Sequence, residues 1–396
     1  MTGPTAPRSN PAPEGNDDVL RRFPLVARPR IPSIPAATRL REIVDLIDGA
    51  TAGAANPTTL IAIAHNKAAL LASDHGLSQL ARELCWRHHD RYTSLRPWTA
   101  PLARLALEPL INLARLDIRD GHPDDAVALL TALWRGVEAG DDAVIRGRAV
   151  RLDDLDRGSK DWKVLRLWLW TVVLSEGIRA LATAGRWSDA LAHAQRHSGI
   201  GRRLLDGRQV AVLAHVAAGD HSIAERLIAE SDVREPWEHA VAAALAAIDR
   251  GAVATYAERT ATMVARYLDI DLDFSYTAFV VRLGLAVVDL AGGPDQTDGA
   301  RATRRVRHLA MATNDGRVAS EVLSHHVQCA LTPAERIQLR TARRAAGLGV
   351  HPHPDLHSRL LAALDRCPPA ARVSAPRSAH GDADPSSAVR ANDHST

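Results

Sequence analysis

The sequence predicts an all-α protein, an α-solenoid of stacked antiparallel helix hairpins with a disordered tail at each end. Three observations lead to this prediction. The 396 residues are 46% hydrophobic but only 4% aromatic, so the apolar side chains are mostly Ala, Leu and Val, which suit closely packed helices. Apolar residues recur at spacings of three and four, without sustained alternation. Glycines followed by alanines separate the periodic runs.

The two ends of the chain lack helical periodicity. Residues 1–36 are proline-rich, and residues 367–396 are rich in Ser, Pro, Asp and His, so we predict disordered tails there. Between the tails, we predict helical repeats over residues 37–232 and further helical hairpins over residues 233–366. Gly, Asp, Asn and Pro cluster between the periodic runs, as helix ends require.

One local pattern recurs four times within residues 57–232. A glycine closes a helix, a short polar turn follows, and an alanine stands five residues after the glycine. Glycine adopts the left-handed conformation that ends a helix, and the small alanine lets the next helix approach closely. The four pairs are Gly76 with Ala81, Gly121 with Ala126, Gly185 with Ala190, and Gly219 with Ala224.

This pattern resembles the helix hairpins of the tetratricopeptide repeat family. Gly185 and Gly219 are separated by 34 residues, which is the period of that family. The earlier spacings are longer, which indicates longer helices or an insertion around residues 140–160. The resemblance implies a solenoid that binds a peptide or protein on its concave face. A helical bundle without true repeats is the alternative.

Two further features deserve comparison with the family. The small residue that the family favours midway along its first helix is matched by Ala69 and Ala114. Ile178 and Val212 stand at the corresponding places of the later hairpins and depart from the family pattern. The resemblance therefore applies to residues 57–232, and the chain beyond them is generically helical.

Tryptophan side chains are the first candidates for a partner-binding surface. Buried aromatic side chains are strong anchors in protein interfaces. Trp168 and Trp170 are two residues apart and lie on different sides of one predicted helix, so at least one of them packs internally. Together with Trp134, they are candidate contacts to a partner, and burial in the protein core is the other interpretation.

Arginine side chains form the second candidate surface. The net charge of the chain is +3, but residues 301–344 carry nine arginines against three acidic residues. This stripe can be a solvated face, a contact to an acidic protein, or, ranked last, a contact to nucleic acid. The candidate contacts are Arg301, Arg304, Arg305, Arg340 and Arg344.

Two groups of side chains imitate metal sites. His88, His89 and Asp90 are adjacent, and neighbouring side chains on a helix point about 100° apart, so they do not converge on one ion. Alternate aspartates precede Phe274 in a calcium-loop-like run, but the glycine that such a loop needs is missing. We predict no bound metal, and we expect Asp273 to start a helix instead.

The sequence predicts no catalytic residues and no cofactor. It contains no glycine-rich phosphate loop, no nucleophile elbow and no HExxH motif. An enzyme with a pocket near Trp98, His122 and Trp134 is a third-ranked hypothesis without positive support. The first hypothesis is a non-catalytic scaffold or regulatory adaptor. The second is a transcription-linked regulator, as in bacteria, that acts through a DNA-binding partner or through its own basic stripe.

The expected location is the cytoplasm. No apolar run precedes the first prolines, and no stretch of 18 uncharged apolar residues occurs, so we expect no secretion signal and no contact with a membrane. The three cysteines, Cys85, Cys329 and Cys367, are too scattered to suggest a disulfide framework, which fits a reducing compartment.

Overall fold

The computed structural model describes residues 15–152, 156–248, 256–325, 327, 330–348 and 355–369. Helices dominate this part of the chain, and the predicted all-α class is confirmed. The first half contains α1 (Gly15–Arg22), α2 (Ala36–Thr51), α3 (Pro57–Asp74), α4 (Ser78–Thr93), α5 (Ala100–Arg119), α6 (Pro123–Ala139), α7 (Lys160–Thr183), α8 (Trp187–Arg196), α9 (Asp206–Ala218) and α10 (His221–Ala229). The second half contains α11 (Pro236–Ile248), α12 (Tyr256–Leu268), a 3-10 turn (Phe274–Tyr276), α13 (Thr277–Leu290), α14 (Thr297–Ala312), α15 (Gly316–Ser324), α16 (Pro333–Ala345) and α17 (Leu356–Asp365).

The predicted glycine corners are confirmed. Each corner glycine has a positive φ, and each facing alanine is completely buried. The corners join α3 to α4, α5 to α6, α7 to α8, and α9 to α10, and the two helices of each pair contact each other. The φ angles are +73° at Gly76, +82° at Gly121, +73° at Gly185 and +81° at Gly219.

The long spacing before Gly185 has two structural causes. Helix α7 is 24 residues long, and a small antiparallel hairpin precedes it, formed by β1 (Ala143–Ile145) and β2 (Arg148–Val150). Arg146 and Gly147 form the hairpin turn with positive φ angles, as tight two-residue turns require. The predicted insertion around residues 140–160 is therefore confirmed.

Most neighbouring helices pack in chain order, as in helical-repeat proteins. Their buried side chains form two clusters that meet along α7. Leu165 and Leu169 of this helix belong to the cluster built from α2–α6, the hairpin and α17, whereas Ile178 and Leu181 belong to the cluster built from α1 and α8–α16. The clusters therefore meet on α7.

The N-terminal segment, residues 15–35, differs from the disordered tail predicted over residues 1–36. It begins with α1, which contacts α7 and α13, and continues as extended chain. Val19, Leu20, Phe23 and Leu25 are buried in the second cluster. They become ordered because distant helices provide an apolar surface for them. Residues 1–14 and 370–396 of the predicted tails lie outside the described residues.

The end of the chain contacts its beginning. Helix α17 packs against α2 and α3, although more than 280 positions separate their sequences.

The Asp74 carboxylate at the end of α3 accepts hydrogen bonds from Arg39 of α2, Arg119 of α5 and Arg317 of α15, at 2.7, 3.1 and 2.6 Å. One buried carboxylate thus connects four helices.

The corner at Gly121 allows a direct test of the repeat geometry. A Cβ atom added there meets no other atom within 4 Å, so the cost of a substitution comes from the positive φ alone. We expect Gly121→Ala to lower the free energy of unfolding by about 1–2 kcal/mol. Gly121→Asn should lower it less, because asparagine tolerates this conformation. Urea unfolding of both variants checks the order, and equal costs would contradict the assigned backbone conformation.

Candidate functional site

Charged side chains surround a cavity where the N-terminal segment crosses the helices. The cavity has a volume of about 70 Å³, and Phe23, Leu25 and Phe279 form part of its apolar wall. Seven charged side chains line it: Arg21, Arg28, Arg30, Arg179, Asp206, Arg282 and Glu321. Five guanidinium groups therefore face two carboxylates around a small space.

Extended backbone places two of these arginines together. Residues 23–35 contain no helix among them, and Pro24, Pro29, Pro32 and Pro35 favour an extended conformation. In extended chain, residues two apart point to the same side, so Arg28 and Arg30 face the cavity together. The backbone N–H of Arg30 donates to the Ser275 carbonyl at 2.8 Å, which holds the segment in place.

The helices contribute the other charges. Arg282 is a charged residue in the middle of α13, and most of the other side chains of this helix are buried. It pairs with Glu321 of α15, with a distance of 2.9 Å between Nη2 and Oε1. Arg179 of α7 pairs with Glu176 one turn earlier, at 2.6 Å. The helix interiors thus present their charges on the face that the N-terminal segment covers.

Three of the five arginines have carboxylate partners. Arg28 pairs with Asp206, in addition to the Arg179–Glu176 and Arg282–Glu321 pairs. Burial raises the pKa of Asp206, and the nearby Arg28 offsets only part of this effect. Burial would also raise the pKa of Glu176, but Arg115 and Arg179 outweigh it and lower that pKa. Glu176 is therefore firmly ionised and has two arginine partners.

Arg30 and Arg21 remain without an acceptor. Neither guanidinium forms a hydrogen bond or ion pair within the part of the chain that the structure describes, and both are exposed. Desolvation, together with the charges of Arg282 and Arg179, lowers the pKa of Arg30 to about 10. The Arg30 side chain is thus surrounded by protein and other cations while it stays open to the cavity. This arrangement can bind an anion.

The predicted tryptophan contacts are all half-buried and make intramolecular contacts. Trp170 donates its indole N–H to the His197 carbonyl at 2.9 Å, and the Trp134 ring lies edge-on to the His197 ring at 6.0 Å. Trp168 lies on the side of α7 where Val164 and Leu167 are strongly exposed, and the Arg104 guanidinium is 5.3 Å from its ring. Trp168 is therefore the one that adjoins exposed apolar side chains.

The predicted arginine contacts divide into two groups. Arg305 donates to the carbonyl groups of Tyr267, Leu268 and Ile270, so it closes the C-terminal end of α12. Arg301 is exposed and pairs with Asp298 at 3.2 Å. The remaining three, Arg304, Arg340 and Arg344, are exposed. The structure therefore gives Arg305 a structural role and leaves the other predicted contacts at the surface.

The side chains in the two metal-site-like groups contribute to packing and to the start of a helical turn. His88 and His89 are buried, and the His88 ring stacks on His65 with 5.2 Å between ring centres. Asp273 accepts a hydrogen bond from the Ser275 N–H and starts the 3-10 turn, as expected. Within the described ranges, no three His, Cys, Asp or Glu side chains are grouped so that they could hold a metal ion. Trp98, from the enzyme hypothesis, is buried and donates to the Tyr92 carbonyl at 3.0 Å.

The cavity arginines were missed by reasoning from the sequence. Arg28 and Arg30 lie in a segment predicted to be disordered, and Arg179 and Arg282 are single charges on apolar helices. The run Arg28-Pro29-Arg30 was the available signal, because a proline between two arginines favours extended chain with both charges on one side.

Comparisons with models of protein families, with curated proteins and with solved structures found no match to this chain. None of the helices in the described ranges is both long enough and apolar enough to cross a lipid bilayer.

Proposed function

We propose that this protein is a non-catalytic adaptor, a tetratricopeptide-like α-solenoid that binds an extended segment of a protein partner. The observation that carries this proposal is the N-terminal segment itself. The helices hold this extended stretch through buried apolar side chains, through the Arg28–Asp206 pair and through backbone hydrogen bonds. Peptide-binding helical repeats use the same combination of contacts.

The contacts of the segment define the kind of partner. Phe23 and Leu25 are two apart and buried, and Arg28 follows three residues later to pair with Asp206. Gly316 donates its N–H to the Ser33 carbonyl at 2.9 Å, which adds a contact independent of side chains. A partner segment with two apolar residues two apart, followed by a basic residue, would compete for this surface. The N-terminal segment would then regulate access to it.

A cleavable form of the full-length protein tests the proposal. A protease site inserted between Pro35 and Ala36 separates the N-terminal segment from α2 without removing it. We expect the fragment to remain bound after cleavage and to exchange with a synthetic peptide of residues 15–35. The circular dichroism signal of the helices in the remaining chain should be unchanged when the fragment is displaced. Calorimetry then measures the affinity of the chain for the peptide.

The matched control is the same peptide with Phe23→Ala and Leu25→Ala. Losing two buried apolar side chains should weaken binding at least ~10-fold, since full burial of one such side chain contributes about 1.5–3 kcal/mol. Loss of helix on removal of the fragment would show that the segment is a fixed part of the fold, which would refute the proposal. Equal binding of the control peptide would refute the assigned contacts.

A transcription-linked regulator is the second candidate. The exposed arginines of α14 and α16 support it, because Arg304, Arg340 and Arg344 have no acceptor within the described ranges. Titration with duplex DNA at two salt concentrations tests this candidate, since phosphate contacts make the affinity fall steeply with salt. No binding at the lower salt concentration would exclude direct contact with DNA.

A further inference from the structure

We propose that the cavity under the N-terminal segment binds a phosphate group, held by Arg21 and Arg30 of the segment and faced by Arg179 and Arg282 of the helices. The site includes the N-terminal segment that the proposed function treats as exchangeable, so it exists while that segment lies against the helices, and it does not require the segment to exchange. Three properties of the cavity support the proposal: its size, the balance of its charges, and the chemistry of its donors.

The size of the cavity selects a small ligand. Its volume of about 70 Å³ is several times the ~10–15 Å³ that one water molecule needs. It is far below the ~300–1,000 Å³ of pockets that enclose drug-sized ligands. A tetrahedral oxyanion or the end of a phosphorylated side chain fits this range, whereas a nucleotide does not.

The charges of the cavity select a dianion. Asp206 pairs with Arg28, Glu321 pairs with Arg282, and the neighbouring Glu176 pairs with both Arg179 and Arg115. Arg21 and Arg30 are the two arginines of the cavity that these carboxylates leave. Two positive charges therefore remain without a partner. A phosphate group carries a charge of about −1.5 to −2 near neutral pH and balances both. A single carboxylate would leave one guanidinium unbalanced.

The donors suit phosphate oxygens. Guanidinium groups donate two parallel N–H bonds to phosphate, and such charge-assisted bonds are stronger than neutral ones. Phe23, Leu25 and Phe279 reduce contact with water around the cavity, which strengthens electrostatic attraction there. The Arg30 guanidinium lies near the like charges of Arg179 and Arg282, which repel it, and a bound anion would offset that repulsion. The bound group would also connect the N-terminal segment to α7 and α13.

Calorimetry on the full-length protein tests the site, with inorganic phosphate as the first probe in a chloride buffer of constant ionic strength. We expect saturable binding of one phosphate per chain. Arg30→Gln should weaken it ~10-fold or more, because a hydrogen bond to a charged group is lost. Arg30→Lys keeps the charge but not the paired donors, so it should have a smaller effect. Arg359→Gln, which changes an exposed arginine on α17 outside the cavity, is the matched control and should leave the affinity unchanged.

A second probe identifies the source of the phosphate group. A short phosphoserine peptide and its unphosphorylated form are titrated into the same proteins. Binding of inorganic phosphate alone assigns a free oxyanion, and binding of the phosphopeptide that Arg30→Gln abolishes assigns a phosphorylated chain. Circular dichroism of each variant verifies that it is folded. The proposal is overturned if neither probe binds saturably, or if Arg30→Gln and Arg359→Gln have equal effects.

Discussion

Asp74→Asn is expected to lower the free energy of unfolding by about 3–5 kcal/mol. The Asp74 side chain is 1% exposed and accepts hydrogen bonds from three guanidinium groups. Burial by itself would raise the pKa of Asp74, but Arg317, Arg39 and Arg119 outweigh it and the pKa is lowered. Asparagine keeps the shape and loses the charge, so three cations would then face one neutral side chain. Urea unfolding followed by circular dichroism measures the loss.

Asp48→Asn is the matched control for this prediction. Asp48 lies on α2 and pairs with Arg366 after α17, so it also connects the first helices to the last. Both side chains of that pair are at least half exposed, and such pairs contribute about 0–1 kcal/mol. If Asp74→Asn were no more destabilising than Asp48→Asn, the buried carboxylate would not be what holds the four helices together.

Mild acid is expected to destabilise the protein at a pH well above the pH at which the carboxylates of its ion pairs are protonated. Burial lowers the pKa of His65 to about 3, and burial also lowers the pKa of His88 well below its usual value. Neither ring nitrogen of His65 has a hydrogen-bond partner among the residues that the structure describes, and both rings are buried. The folded protein therefore keeps these rings neutral, whereas the unfolded chain protonates them below pH ~6.5.

The sign and the size of this effect follow from proton linkage. Above pH ~6.5 neither state binds these protons, so the histidines have no effect on stability. Below it, only the unfolded state binds them, and stability falls by about 1.4 kcal/mol per pH unit for each such histidine. Between pH 7 and pH 5, His65 alone should lower the free energy of unfolding by about 2 kcal/mol, and His88 should add to the loss.

The double variant His65→Phe, His88→Phe provides the comparison. Its free energy of unfolding should depend less on pH between pH 7 and pH 5 than that of the unchanged protein, as measured by urea unfolding at each pH. The comparison isolates the two histidines from Asp206 and Glu108, whose raised pKa values act in the opposite direction. Identical pH dependence of the two proteins would show that the histidines do not titrate on unfolding.

Three features of the fold follow from the amino-acid sequence: the helical class, the four glycine corners and the insertion before α7. These features depend on residues that are close together along the chain: a glycine that takes a positive φ, an alanine five positions later, and apolar residues at helical spacing. Local conformational preference and periodicity are enough to specify them. The same reasoning failed for the N-terminal segment, because its order comes from surfaces that other helices provide.

The places where charged side chains meet depend on how the helices pack in three dimensions. Arg317 and Asp74 are 243 positions apart, and Arg28 and Asp206 are 178 positions apart, so no local pattern announces either pair. The same holds for Arg30, whose neighbours Arg179 and Arg282 come from two distant helices. Electrostatic interactions depend on distance and burial in the folded protein, and neither can be obtained from spacing along the chain. The folded arrangement alone therefore brings five arginines around one cavity and leaves two of them without a partner in the described chain.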